Sequence, residues 1–460
     1  MARPTLAHTL LFGLVGCALA LAACSKGTGS STPAPSASPT VTPSVGPSQT
    51  PVPSSVGIGF LPDAGNAGPA GITVLHFLTA GGTSFPYKPE FVNFASPVEL
   101  LTIDVDATVG LAVMKSPEGT YSYLQGVLGI SNSNIAPGGS FFDSYYPPPS
   151  PAPTNEVVPS ISSEAMVGTS NNAVGLSVGP AAVGILGVNQ ASSQAPSFNG
   201  FVPFSDGCSG NVPPTFQRSA IAASSIVNGN GNYSVLVRGQ HDLMSYRVTP
   251  NFNVSPPRYA FCYTADDETL GANLLANPGA VGRGMIAFSP VDSTRALLGQ
   301  VGPSQDSLML VTGLPAVITR TVPLALKGSP RVQSVTIAQN GTYAVIGTNL
   351  GLYVVSGINT GALIAVGQGA SKTTGPYEPA YKGADGLYHQ LKNVTSVGLI
   401  SGGSFLAATA SLTADAPGGG TTGTLVVLPF NEATGLLSAP SVAINNLPLN
   451  AFYQDILTVR

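Results

Sequence analysis

The sequence predicts an all-β protein in which a unit of four short antiparallel strands is repeated. Three observations predict it. The chain holds 55 Gly and 41 Pro among 460 residues, and its short Val/Ile/Ala/Leu runs are bounded by Gly, Asn, Ser or Pro, the pattern of strands between turns. No long helical periodicity follows the amino-terminal apolar run. One phrase recurs: an apolar strand, a Gly/Asn turn, a second strand with an aromatic or apolar start, then a third and a fourth strand. Its clearest copy is RVQSVTIAQNGTYAVIGTNLGLYVVSGINTGALIAV, residues 331–366.

The amino terminus comes first. One positive charge, Arg3, precedes an apolar run over 10–23 that ends in small residues, the layout of a secretory signal. The run is too short and too rich in Gly and Ala for a membrane-spanning helix, which needs about 20 mainly apolar residues. The quartet Leu21-Ala22-Ala23-Cys24 resembles the lipobox of bacterial lipoproteins. That resemblance implies that the Cys24 thiol receives a diacylglyceryl group, that the peptide bond before it is cut, and that the new amino terminus is acylated. Residues 1–23 are then a lipoprotein signal peptide, and several acyl chains anchor the mature protein to a membrane. Ser25 stands where some bacteria place the Asp that retains a lipoprotein in the inner membrane. The implied location is the cell envelope, lipid-anchored, at the outer membrane on its periplasmic side or at the cell surface. Cys17, inside the apolar run, reads as a small hydrophobe.

Residues 24–55 begin with the lipidated Cys and continue as a segment dominated by Ser, Thr, Pro, Gly and Ala, with one charge, Lys26, and no aromatic residue. Such a segment cannot bury enough surface to offset its ordering entropy and is expected to be a disordered tether. Its composition also permits O-glycosylation.

The rest of the chain, 56–460, is larger than one compact core normally needs, which favours either several domains or a repeat architecture. Further copies of the phrase begin at Val98, Arg218, Arg283 and Asn393, with a weaker one at Val158. Ile103, Ile161, Ile221, Ile286, Ile337 and Leu399 then mark equivalent first strands at similar spacing. The stretch FYQDILTVR, 452–460, reads as a seventh first strand with nothing after it, whose partners lie near 56–60, 72–78 and 90–94. A unit shared between the chain ends is how a β-propeller closes its ring. The expected fold over 56–460 is therefore a seven-bladed β-propeller of four-stranded antiparallel blades, closed by the carboxy-terminal strand.

The turn within 339–355 resembles the YVTN or lactonase-like propeller repeats, in which D/N-G-x-x-(Y/L)-(A/V) joins the two inner strands. Members of that group include lactone hydrolases, surface-layer proteins and adhesion proteins, so the resemblance speaks to fold far more than to function. The chain has no Trp, which argues against WD repeats, sialidase-type Asp boxes and quinoprotein docking motifs, all of which rely on it. A transmembrane β-barrel is disfavoured by the lack of an aromatic girdle pattern.

Chemistry-bearing residues are sparse. Cys208 precedes the fourth blade and Cys262 ends its outer strand, at the same face; in an exported protein the expected state is a disulfide, and their surroundings offer no metal-ligand spacing. Long insertions over 141–156, 204–217, 264–282 and 371–390 each precede a first strand, so they emerge on one face, the one expected to carry function. Arg218, Arg283, Arg331 and Lys392 stand at or just before first strands in four blades. In a chain with 17 basic against 21 acidic residues, grouping them at the channel mouth would create a local positive field for an anionic ligand. The plainer reading is that strand starts are solvated and take charges readily. Neither the net charge of −4 nor any basic stripe supports nucleic-acid binding.

His76 sits in an apolar strand and reads as structural. His241 with Asp242, and His389 with Asp385 and Glu378, could supply a base or metal ligands. Asp104 and Asp106 lack the further oxygen ligands of a calcium loop, and Asp266, Asp267 and Glu268 read as a solvated loop. Tyr377, Tyr381 and Tyr388 could stack on a sugar or a partner. No catalytic residue, metal set or cofactor is assigned. The expected function is a membrane-anchored lipoprotein whose propeller binds or scaffolds a partner protein, a glycan or an anionic small molecule. The alternative is a lactonase-like hydrolase or isomerase acting at the channel mouth, which would gather Glu99, Asp455 and His389 around one cavity.

Overall fold

The computed structural model describes residues 218–239, 243–251, 258–267, 285–300, 304–400, 404–411 and 423–447, with residues 168 and 302, the strands between 55 and 187, and the pair 457–458. The signal segment, Cys24, the tether, Cys208, Arg283 and Asp455 lie outside the described residues. All described residues belong to the unit Pro53–Arg460.

Every described element is a β-strand, and neighbouring strands pair antiparallel in chain order. Sheet A holds Ser55–Asp63, Gly71–Leu78 and Tyr87–Asn93; Leu457–Thr458 pairs along its first strand, Phe60 opposite Leu457. Sheet B holds Val98–Ile103, Val109–Lys115, Ser122–Leu128 and Ala136–Pro137. Sheet C holds Ser163–Val167, Val174–Val178 and Val183–Gly187. Sheet D runs Arg218–Ala223, Tyr233–Gly239, Leu243–Asn251 and Arg258–Asp267. Sheet E begins with Ile286–Phe288, Arg295–Gln300 and Ser307–Thr312. Sheet F runs Val332–Ile337, Tyr343–Thr348, Gly351–Ser356 and Ile364–Val366. Sheet G begins with Val394–Ile400, Phe405–Ser411 and Gly423–Asn431.

Ile103, Ile221, Ile286, Ile337 and Leu399 all fall in first strands, whereas Ile161 lies two residues before Ser163–Val167 and outside the described residues. In two sheets the outer strand is broken rather than single. Thr319–Arg320 and Leu324–Ala325 both pair with Ser307–Thr312, and Leu436–Leu437 and Val442–Leu447 both pair with Gly423–Asn431. Pro323 and Pro440 stand at the breaks, and proline has no N–H to give a ladder. The 371–390 insertion, expected to be irregular, contains a hairpin of Ala380–Lys382 with Tyr388–Gln390.

The turns joining first and second strands follow from Asx chemistry. Asn228 Oδ1 accepts from the Asn230 and Asn232 N–H groups, Asp292 Oδ1 from Thr294 N–H, and Asn340 Oδ1 from Thr342 N–H. Gly341, at φ 70°, supplies the left-handed residue that the Asn-Gly turn needs.

Strands with both faces buried read as unbroken apolar runs. Val235 and Val237 pack with Val174 and Leu176 of sheet C, while Leu236 between them packs with Leu298 and Met309 of sheet E. Leu297, Leu308 and Leu310 turn the other way, onto Ile337, Ile346 and Tyr353 of sheet F. Val345, Leu352 and Val354 meet Leu399, Leu406 and Val426 of sheet G. Side-chain hydroxyls link consecutive first strands: Ser163 Oγ accepts from Ile221 N–H at 3.2 Å and Ser334 Oγ from Val397 N–H at 3.1 Å.

Close approach of neighbouring sheets also explains two glycines. A Cβ on Gly299 would stand 2.9 Å from Val332 Cγ1, and one on Gly347 would stand 2.9 Å from Val394 Cγ1 and 3.0 Å from the Val394 carbonyl oxygen. Gly347→Ala should lower stability by about 1–3 kcal/mol, because a backbone oxygen cannot step aside. Gly229, with nothing within 4 Å, is the control: Gly229→Ala should leave the urea midpoint nearly unchanged.

Candidate functional site

The first strands of sheets B, D, F and G share one local feature. Register shifts by one residue between Val98 and Leu100, Arg218 and Ala220, Val332 and Ser334, and Val394 and Ser396. Each is a bulge that leaves one residue extra, Glu99, Ser219, Gln333 or Thr395, at the same level of the fold. The bulges lie at the end where the sequence placed its four cations, and sequence alone carried no signal for them. Gln333 Oε1 is buried with no hydrogen-bond partner, the kind of acceptor that a donor from water or ligand satisfies.

Arg331 stands just before the sheet F first strand. Its Nη1 donates to Asp306 Oδ1 at 2.9 Å and to the Gly302 carbonyl at 2.7 Å, and its N–H donates to Asn349 Oδ1. Asp306, with a side chain 3% exposed, also accepts from Val332 N–H at 2.8 Å and Gly302 N–H at 3.2 Å. The carboxylate therefore ties sheet E to the start of sheet F. Lys392, just before the sheet G first strand, pairs with Glu378 at 3.0 Å. Each of these two cations has a carboxylate beside it, so the positive field expected from them is largely compensated. Arg218 heads its strand opposite Gly239; its side chain and all of Arg283 lie outside the described residues.

A further cation was not singled out from sequence. Arg238 is fully buried at the ladder position, opposite Ala220, that Gly347 holds opposite Ser334. Its Nη1 donates to the Gly299 carbonyl at 3.1 Å. Burial lowers its pKa to about 10, with the charge of Asp306 acting in the opposite direction. The signal in the sequence is an arginine interrupting the apolar run YSVLVRG.

The hairpin before sheet G carries the carboxylate and imidazole. His389 Nε2 lies 2.9 Å from Asp385 Oδ2 and 3.0 Å from Oδ1, and Leu387 N–H donates to Asp385. The hydrogen bond with His389, followed by that from Leu387, holds the Asp385 carboxyl below its usual range. Glu378 is engaged with Lys392 rather than with His389. Tyr381 is buried with its ring centroid 5.9 Å from that of His389, and burial raises its pKa. Tyr377 packs against the sheet F and G core, and its backbone exchanges hydrogen bonds with Leu352. Of the three insertion tyrosines only Tyr388, 77% exposed, is free to stack on anything.

Asp266 and Asp267 are corrected from a solvated loop to the end of the Arg258–Asp267 strand. Asp267 pairs with Arg320 at 2.5 Å, because the split outer strand of sheet E brings that guanidinium alongside. Cys262 is buried in the same strand. His76 lies in Gly71–Leu78 opposite Ile58 and Lys88, with its side chain outside the described residues, as are His241, Asp242, Asp104, Asp106 and Glu268. Among the described residues no group of three or more His, Cys, Asp or Glu could hold a metal, and no helix is long and apolar enough to cross a membrane.

No protein-family model matches the sequence, and no curated protein matches it. Solved structures do. A candidate 6-phosphogluconolactonase from Bacteroides fragilis superposes with a TM-score of 0.53 at 13% identity, over 90% of this chain and 100% of the other. A protein from Lactobacillus plantarum gives 0.55 at 11%, over 88% and 100%. A candidate 6-phosphogluconolactonase from Bacteroides uniformis gives 0.50 at 12%, over 85% and 99%. At such identities the likeness shows the fold. The class is an all-β protein of antiparallel, mostly four-stranded sheets with a propeller-type fold shared with these structures.

Proposed function

We propose that this is an exported, lipid-anchored propeller of seven blades whose loop face takes a small anionic sugar lactone and opens its ring. The observation that carries the reading is the fold likeness to two proteins described as candidate 6-phosphogluconolactonases, each covered almost entirely by this chain. The candidate general base is His389, oriented by Asp385 through Nε2, which leaves Nδ1 to take a proton from the attacking water. Gln333, at the start of an inner strand, is a candidate acceptor for a sugar hydroxyl. Lipidation at Cys24 is the anchor in this reading, and Cys208 with Cys262 form a disulfide that ties the connection before sheet D to its outer strand. Support for seven blades and for closure comes from the pairing of Phe60 with Leu457. It also comes from the cyclic order in which the first strands of sheets B to G neighbour one another and reach sheet A from both sides.

A second reading is a binding or scaffolding module for a partner protein, a glycan or an anionic small molecule. It is favoured by the sparse chemistry of the described residues, among which no group of three or more His, Cys, Asp or Glu gathers, while Arg331 and Lys392 each hold a carboxylate that a stronger anion could displace. In this reading Arg218, Arg283, Arg331 and Lys392 form the rim that meets the ligand.

One experiment separates the two. The protein is screened by thermal shift against sugar lactones, sugar acids, calcium and peptidoglycan fragments, and the lactones are followed for acid release. A ligand at one hundred times its dissociation constant stabilises by about 2.7 kcal/mol. Acid release that is lost in His389→Ala supports the enzyme. A shift with sugar acids and no turnover of any lactone supports the binding module and ends the first reading.

A further inference from the structure

Two strands of sheet D place a guanidinium against a sulfur. Arg247 of Leu243–Asn251 stands directly opposite Cys262 of Arg258–Asp267, and its Nη2 lies 3.4 Å from Cys262 Sγ. Directly opposed residues of an antiparallel pair share one face of the sheet. Arg247 Nε is buried and donates to nothing, and among the described residues no carboxylate pairs with this guanidinium. The nearest acids along the ladder are Asp266, opposite Met244, and Asp267, opposite Leu243, and Asp267 is already paired with Arg320. On the strand at the other side of Arg247, Ser234 is its direct opposite number. The hydroxyls of Ser234 and of Ser245, two residues before Arg247, are fully buried with no partner either. This face of the sheet thus holds a guanidinium whose Nε has no acceptor and two hydroxyls with no partner among the described residues, beside the one sulfur that Nη2 reaches.

We propose that the Cys208–Cys262 disulfide is an exchangeable one, with Cys262 as the leaving thiolate and Arg247 as the group that stabilises it. The inference rests on the pairing of these two cysteines proposed above. A thiolate from an external dithiol attacks Cys208 Sγ; the Cys208–Cys262 bond breaks, and its electron pair goes to Cys262 Sγ. The second thiolate of the dithiol then attacks the dithiol's own first sulfur, now bonded to Cys208 Sγ; that bond breaks, its electron pair goes to Cys208 Sγ, and the dithiol leaves as its own disulfide. Water protonates the Cys208 thiolate, while Cys262 keeps its negative charge against Arg247. An anion at that point supplies the guanidinium with the counter-charge it lacks, and a stabilised leaving thiolate makes a disulfide both faster to exchange and more oxidising. Arg247 is here a positioning residue for redox chemistry, not a strut.

The test uses the full chain, equilibrated in buffers of oxidised and reduced dithiothreitol, with Cys208 and Cys262 followed by thiol labelling and peptide mapping. Arg247→Gln should make the disulfide at least tenfold harder to reduce at equilibrium, a shift of about 30 mV to more negative potential, and Arg247→Lys should move it less. In the reduced wild-type protein the ultraviolet thiolate absorbance lost in Cys262→Ser should titrate below about 8.5, the ordinary cysteine value. An unchanged potential in Arg247→Gln, or a Cys262 thiolate that titrates at or above the ordinary value, overturns the inference. The wild-type titration decides alone if the glutamine variant does not fold. Labelling of both cysteines before any reduction would overturn the pairing itself, whereas an intact disulfide with an Arg247-independent potential overturns only the role of Arg247.

Discussion

Asp306→Ala should destabilise the folded protein by about 3–5 kcal/mol, the cost of removing one partner from a buried, hydrogen-bonded ion pair. The side chain is almost fully enclosed, and it accepts from Arg331 Nη1, Val332 N–H and Gly302 N–H. Alanine strips all three at once, and the Val332 N–H, on a residue 3% exposed, has no water to turn to. Asp306→Asn keeps one acceptor oxygen and should cost about 1–3 kcal/mol. Arg331→Ala should cost less than Asp306→Ala, because the arginine side chain is 43% exposed and solvent can replace it. Denaturant midpoints of the three variants check the order. Equal midpoints for wild type and Asp306→Ala would mean that the carboxylate does not hold sheets E and F together.

Tyr353→Ala should cost about 3–5 kcal/mol, as removal of a large buried ring does, whereas Tyr353→Phe should cost about 1 kcal/mol for the hydroxyl alone. The ring is buried in the core between sheets E and F, and the hydroxyl donates to the Lys327 carbonyl at 2.6 Å. Burial, with a smaller push from the charge of Glu378, raises the phenol from 10.0 to about 12. The folded state therefore favours the neutral phenol. Its stabilisation is present in full below pH 10 and is lost as pH rises through 12. The stability difference between wild type and Tyr353→Phe should shrink across that interval. A constant difference would show that the phenol titrates alike in both states.

The strands were legible in the sequence because each is an apolar run closed by a turn with its own chemistry. Asn340-Gly341 forms the turn read from its letters, with Gly341 left-handed and Asn340 capping Thr342. The split outer strands were less legible, although Pro323 and Pro440 mark the breaks, because proline interrupts a ladder without saying whether the chain rejoins it. The candidate site was read in part. Arg331 and Lys392 stand just before first strands, yet Asp306 is twenty-five residues from Arg331, and Glu378 and Lys392, in one connection, are separated by the whole of its hairpin. No local pattern links these partners.

Likewise, nothing in the letters of Arg238 says that it replaces a glycine at an inter-sheet contact, and nothing near Cys262 says that Arg247 faces it. The sequence by itself determined strand, turn and repeat, since these depend on backbone preferences and apolar periodicity within a few residues. Only the tertiary structure decided which charges are paired, which polar atoms lack partners and which side chains share a face. Those outcomes depend on the register of strands and on the packing of one sheet against the next, and both are set by contacts between residues far apart in the chain.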